Sequence, residues 1–293
     1  QKLTLASTAN LAATTNVAFA GSGTDTLNVT YGAITGLSPT STPYSGVGVL
    51  EISTAVADTN TTTFTGFQST GFATVTLEAA PTAAATLAGI TAAGTVNLGA
   101  TSRTGTALLP TAVVTYNTAA AGALTYAIQG DANGLGAQTV GIGANVSTFN
   151  VDIPAGATTG SIDVTNTTSL RTLDVDIGTA GSTYTITADT MDGNSASKID
   201  TDGVLGAVTV TLPSSVCNYV GTAATVNTIT GSAADGGSCT SDEIAIDLSS
   251  NSQANVFTAV AGDANFDIDF GGSTSSFVIA TGAVGTYDVL LTE

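Results

Sequence analysis

The sequence predicts an all-β protein, a β-solenoid or stack of β-strands with a C-terminal β-sandwich-like region. Three observations carry that expectation. An aspartate between two aliphatic residues recurs at an eleven-residue step: Val151-Asp152-Ile153, Ile162-Asp163-Val164 and Leu173-Asp174-Val175. The same beat extends to Val140-Gly141-Ile142 and Tyr184-Thr185-Ile186. The 293 residues include 56 threonines and 34 glycines, the first β-branched and suited to strands, the second suited to turns. No stretch carries a convincing helical stripe.

Each repeated unit places two apolar side chains on one strand face and a small polar one on the other. A unit this short cannot bury its apolar face alone and needs the next one. Taken in order, strand signals run through Thr26–Thr30, Thr74–Leu77 and Thr95–Leu98, the last two separated by 21 residues, close to two eleven-residue steps. They continue at Ala207–Leu212, at Glu243–Leu248 with Ile244, Ile246 and Leu248 on one face, and at Phe266–Phe270 with Asp267 and Asp269 opposite three apolar residues. The Ala-rich patches 82–93 and 118–123 are broken up by threonine and glycine, leaving room for at most one short helix. Turn residues every eight to twelve positions permit either a solenoid or an antiparallel sandwich. The even step favours the solenoid, with roughly 22 residues in a two-sided coil.

Regularity fades after about residue 205. The expected organisation is therefore a Thr/Ala/Gly-rich repetitive region over 1–205 and an acidic β region over 206–293 holding a Cys-containing loop. Breaks are expected at the Pro-bearing segment 38–45 and the turn-rich segment 190–203. Cys217 and Cys239 flank Gly/Ser/Asn-rich sequence. They form either a disulfide, which implies an oxidising compartment, or two separate buried thiols. The first residue is Gln1 rather than methionine, which suggests processing or a fragment. Residues 79–100 are too polar to span a bilayer. The sequons at Asn28, Asn60, Asn145 and Asn166 are expected by chance in so threonine-rich a chain.

Charge excludes more than it identifies. Four basic residues face 22 acidic ones, for a net charge of −18. Nucleic acid needs a basic footprint and anionic membrane surfaces attract cationic segments, so neither is an expected partner. Hard cations are, through oxygen ligands. The acid concentrates in residues 151–293, net −15, against −3 for residues 1–150. Disorder is excluded by the many aliphatic and β-branched residues at period two. Histidine and tryptophan are absent, so no Ser-His-Asp or Cys-His arrangement can exist. No Lys-ending phosphate loop is present. Paired carboxylates alone could cleave a glycoside, but such sites usually add aromatic platforms and basic residues for the sugar, and here tryptophan is absent and basic residues are scarce; no catalytic residue is expected and the chain does not read as an enzyme.

Calcium is the expected cofactor. Candidate ligands cluster in four turns: Asp131 with Asn133; Asp189 with Asp192 and Asn194; Asp200 with Asp202; and Asp263 near Asp267 and Asp269. The competing explanation is that Asp and Asn favour turns. None of the clusters matches an EF-hand loop or a Gly-Gly-x-Gly-x-Asp repeat. Asp152, Asp163 and Asp174 are expected to stack either as a cation ladder or as a solvated acidic face. Thr-x-Thr pairs such as Thr74/Thr76 and Thr209/Thr211 are similar to ice-binding arrays but do not recur at one fixed sequence period.

The runs Gly48–Ser53, Asn60–Thr65, Phe72–Leu77 and Thr168–Val175 resemble the lattice-forming part of bacterial surface-layer proteins. The resemblance covers about residues 20–210 and is one of texture and spacing. It implies a calcium-assembled β-solenoid on the cell surface, poor in lysine and acidic; the missing nonapeptide and the two cysteines depart from the family's calcium-repeat class. Low charge adds a physical argument, because a chain of this size exposes on the order of 11,000 Å² that must be covered largely by neutral residues. Neutral, flat β-surfaces associate. The expected function is an extracellular structural subunit assembling with copies of itself into a surface lattice or sheath, with a cell-surface glycan as possible anchor. The alternatives are a filament or pilus subunit joined by exchange of strand 1–11 or 286–292, and a monomeric adhesin or virion decoration domain.

Overall fold

The computed structural model describes residues 2–5, 17–18, 25–29, 44–45, 47–53, 72–80, 84–99, 112–129, 135–165, 167–177, 179–234, 239, 243–271 and 274–291. They form a parallel β-solenoid of about eight turns, all strands and no helix. Two walls face each other across one core. Strands are numbered in chain order.

The first wall stacks β1 (Lys2–Leu5), β3 (Asp25–Val29), β5 (Val47–Ile52), β6 (Phe72–Leu77) and the end of β7 (Ala85–Leu98). It continues through β9 (Gly122–Ile128), β11 (Val146–Ile153), β13 (Thr172–Ile177) and β15 (Lys198–Asp200). It ends in β17 (Asn218–Val220), β19 (Ile244–Leu248), β21 (Phe266–Phe270) and β23 (Tyr287–Leu291). The second wall stacks the start of β7, β8 (Val114–Thr118), β10 (Gly136–Ile142), β12 (Gly160–Thr165) and β14 (Thr183–Ala188). Above these lie β16 (Ala207–Thr211), β18 (Asn227–Thr230), β20 (Val256–Ala259) and β22 (Ser276–Ile279). A separate parallel pair joins β2 (Val17–Ala18) to β4 (Tyr44–Ser45).

Alternation sorts the side chains. In β13, Leu173 and Val175 are fully buried while Asp176 is exposed. Like residues then stack in register, Val151 on Val175 and Ile162 on Ile186, so apolar rows run along the molecule. Rings close the gap between walls: Tyr116 lies 5.7 Å from Tyr126, and Phe257 lies 4.9 Å from Phe266 edge-on. The buried Tyr184 hydroxyl, on the second wall, donates to the Ala157 carbonyl. At one corner β7 bends from the second wall to the first. Gly89 (φ 86°) and Ala93 (φ 63°) take left-handed backbone there, and a Cβ on Gly94 would sit 2.5 Å from Ile90 Cγ2.

Two expectations sharpen. The 21-residue echo is real, with Thr74 paired to Thr95 and Leu77 to Leu98. The eleven-residue step is half a coil, so successive units alternate walls; Val151 to Val175 is a full coil of 24 residues. The stack of Asp152, Asp163 and Asp174 therefore does not exist. Asp163 lies on the second wall, where Thr187 Oγ1 donates to it at 2.7 Å; Asp152 faces Asp176, and Asp174 faces Asn150. Residues 85–90 of the Ala-rich patch are strand, not helix. The same parallel pairing continues past residue 205 to Leu291, so the segment expected to be sandwich-like keeps the solenoid arrangement.

Candidate functional site

The outward face of the first wall is acidic over its C-terminal half. Strand alternation places Asp152, Asp174 and Asp176 outward, and stacking brings acids together across coils: Asp152 opposite Asp176, Asp174 opposite Asp200, Asp247 opposite Asp269, Asp267 opposite Asp288. Paired strands lie about 4.8 Å apart, so these carboxylates repel one another. The earlier coils carry Thr125, Thr95 and Thr74 in the row that becomes Asn150, Asp174 and Asp200.

Burial and repulsion together show in the acidities. Asp174 is pushed up to about 6, first by partial burial and then by Asp176, Asp200 and Asp202, against the pull of Lys198. Burial, with Asp176 adding, raises Asp152. Asp202 is raised chiefly by the charge of Asp200. Lys198 Nζ donates to Asp200 Oδ2, and that bond holds the lysine above its ordinary range. Gly203 completes the cluster, because a Cβ there would fall 1.7 Å from Asp176 Oδ1.

The sequence-derived candidates divide into strand and corner residues. Asp131 and Asn133 lie outside the described residues. Asp189 and Asp192 sit in the corner after β14; their amides donate to Val164 O and Leu170 O. Asp192 accepts from Arg171 Nε at 2.8 Å, and Asn194 Oδ1 accepts from the Ala196 amide. Asp200 and Asp202 are adjacent, the Asp202 amide donating to Asp200 Oδ1 at 3.2 Å. Asp263 lies in the corner before β21, its amide bonded to Ala233 O. Asp267 and Asp269 share the outward face of β21 and, with Asp247, Ala245 and Ile246, line a shallow groove. Asp269 Oδ1 is buried there without a hydrogen-bond partner among the described residues. Reasoning along the sequence named Asp152 and Asp174 only as members of a ladder with Asp163, and missed Asp176, Asp247 and Asp288 on this acidic face; the i, i+2 spacing of Asp174 and Asp176 was the available signal. Among the described residues no three carboxylates, cysteines or histidines converge as a metal-holding group. Each acid pair offers a cation two carboxylates from neighbouring coils, and water would have to fill most of its shell.

Cys217 and Cys239 are joined in a disulfide that ties the β16–β17 corner to the loop before β19. Inside the coil, Tyr219 links Thr201 at 3.0 Å to Asn227 Oδ1 at 3.1 Å, and Asn227 Nδ2 donates to Asn255 Oδ1 at 3.0 Å. These buried polar groups pin successive corners to one another. Among the described residues no helix is long and apolar enough to cross a membrane. Compared with known protein families, curated proteins and solved structures, the chain matches none.

Proposed function

We propose that the protein is an extracellular structural subunit that assembles with copies of itself into a surface lattice or sheath of the S-layer kind, with calcium held on its acidic wall. The observation that carries this reading is the run of four in-register aspartate pairs along one flat wall. Such a row is unfavourable in isolation and favourable once a divalent cation sits between the carboxylates, within a copy or between two. The repetitive strand surfaces supply the regular, extended contact area a lattice needs.

The test is electron microscopy of purified protein at neutral pH, with and without millimolar calcium. Calcium-dependent sheets are the expected result. A single particle under every ionic condition refutes assembly, and threads in place of sheets would favour the filament reading.

A further inference from the structure

The two walls differ sharply in charge. The strands of the first wall hold ten acidic residues, from Asp25 to Asp288, while those of the second hold one, Asp163. In place of charge the second wall presents threonine in two adjoining rows. Thr185, Thr209 and Thr228 stack in one, Thr187, Thr211 and Thr230 in the other. The steps between these coils are 24 and 19 residues, yet the register holds, because the corners and not the strands absorb the difference. Thr185 and Thr211 are exposed and the other four half-buried.

We propose that this uncharged wall is where a second copy of the chain docks, wall against wall. The inference rests on the self-assembly reading and names its surface. Charge decides the partner. First wall on first wall would set nine acidic residues besides the buried Asp25, offset only by Lys2 and Lys198, against nine more, whereas contact through the second wall keeps both acidic faces in water; the cores of protein interfaces are likewise depleted of charge. Area agrees. Nine stacked strands span about 40 Å, and strands of four to seven residues about 15–20 Å, which gives roughly 600–800 Å² per copy against the roughly 800 Å² typical of a stable pair. Threonine suits the contact, because its χ1 is already restricted and it offers a methyl and a hydroxyl across the interface. Such an isologous pair closes on itself, so a lattice needs a further contact, for which the acidic walls remain outward.

The experiment compares wild type, the triple variant Thr185→Asp, Thr209→Asp, Thr228→Asp, and a control with Thr95→Asp, Thr125→Asp, Thr148→Asp on the first wall. Molar mass is read by light scattering over a concentration series, with circular dichroism reporting the fold. The second-wall variant should associate about 100-fold more weakly or worse, since each copy would bury unpaired carboxylates, while the control keeps wild-type association. A second readout needs no added charge: a bis-maleimide with a spacer long enough to reach across the two-fold contact should cross-link two copies of Thr209→Cys, and should not cross-link Thr125→Cys. Wild-type association with no effect of the triple variant and no Thr209→Cys cross-link overturns this surface and leaves self-assembly standing. A wild type that stays single overturns both, as does a monomer that uses this wall to bind a glycan or ice.

Discussion

Replacing Asp174 with asparagine removes one charge from the most crowded part of the acidic wall. Asp174 titrates near 6 against an ordinary 3.8, because burial and Asp176, Asp200 and Asp202 all disfavour its ionised form. A gap of that size corresponds to about 3 kcal/mol if fully expressed. The side chain is only partly buried, and screening by solvent reduces this to about 1 kcal/mol. The sign follows from proton counting. The folded-state value lies above the unfolded one, so between about pH 4 and 6 the native state holds more protons and stability falls as pH rises. The stability associated with this group is thus complete below pH 4 and lost above pH 6. Asp174→Asn should leave the thermal midpoint unchanged at pH 4 and raise it by about 2 °C at pH 7.5. If calcium neutralises the wall, millimolar calcium should raise the wild type more than the variant and close the gap. Scanning calorimetry at the two pH values, with calcium and with chelator, measures all of this. A variant less stable than wild type at pH 7.5, or equally stabilised at both pH values, refutes the repulsion argument; the second outcome would mean that the new amide simply bonds to Asn150.

Three further outcomes follow from the packing. Leu173→Ala empties a fully buried position in an apolar row and should cost about 3 kcal/mol, read as faster hydrogen exchange in β11, β13 and β15; unchanged protection there would mean that neighbouring coils do not support one another. Reducing the Cys217–Cys239 bridge opens a loop whose closure is worth about 3 kcal/mol, so a reductant should lower the midpoint of a urea melt, and an unmoved midpoint refutes a stabilising role. Gly203→Ala pushes a methyl into the Asp176 carboxylate and should cost about 1–2 kcal/mol, restored by the additional change Asp176→Gly; failure of the rescue in a double-mutant cycle places the strain elsewhere.

The fold was legible where periodicity reports burial directly. Val-x-Ile and Leu-x-Val pairs mark inward faces without ambiguity, and the 21-residue echo between Thr74 and Thr95 is a true coil-to-coil register. What the sequence hid was which wall each unit occupies. Asp163 carries the same local pattern as Asp152 yet belongs to the other side, because an eleven-residue step crosses the coil instead of climbing it. Coil length varies as well, with 20 residues from Ile199 to Tyr219 and 27 from Tyr219 to Ile246. A search for one fixed period therefore loses the threonine rows and makes the region after 205 look like a different architecture. The acidic site was half visible: Asp267 and Asp269 declare themselves by i, i+2 spacing, whereas the pairing of Asp174 with Asp200 exists only once two coils are laid in register.

The direction of the ladder bonds has a mechanical consequence. Every inter-strand N–H···O=C contact in both walls points along the long axis, coil to coil. Tension applied lengthwise therefore loads several such contacts per coil on each side at once, and within the two walls the coil that yields first is the one with the shortest strands. β15 and β17 contribute three residues each, and the bridge from Cys217 to Cys239 sits beside them. That covalent tie spans the step from the β17 coil to the β19 coil, and leaves the equally short step from β15 to β17 to its backbone bonds.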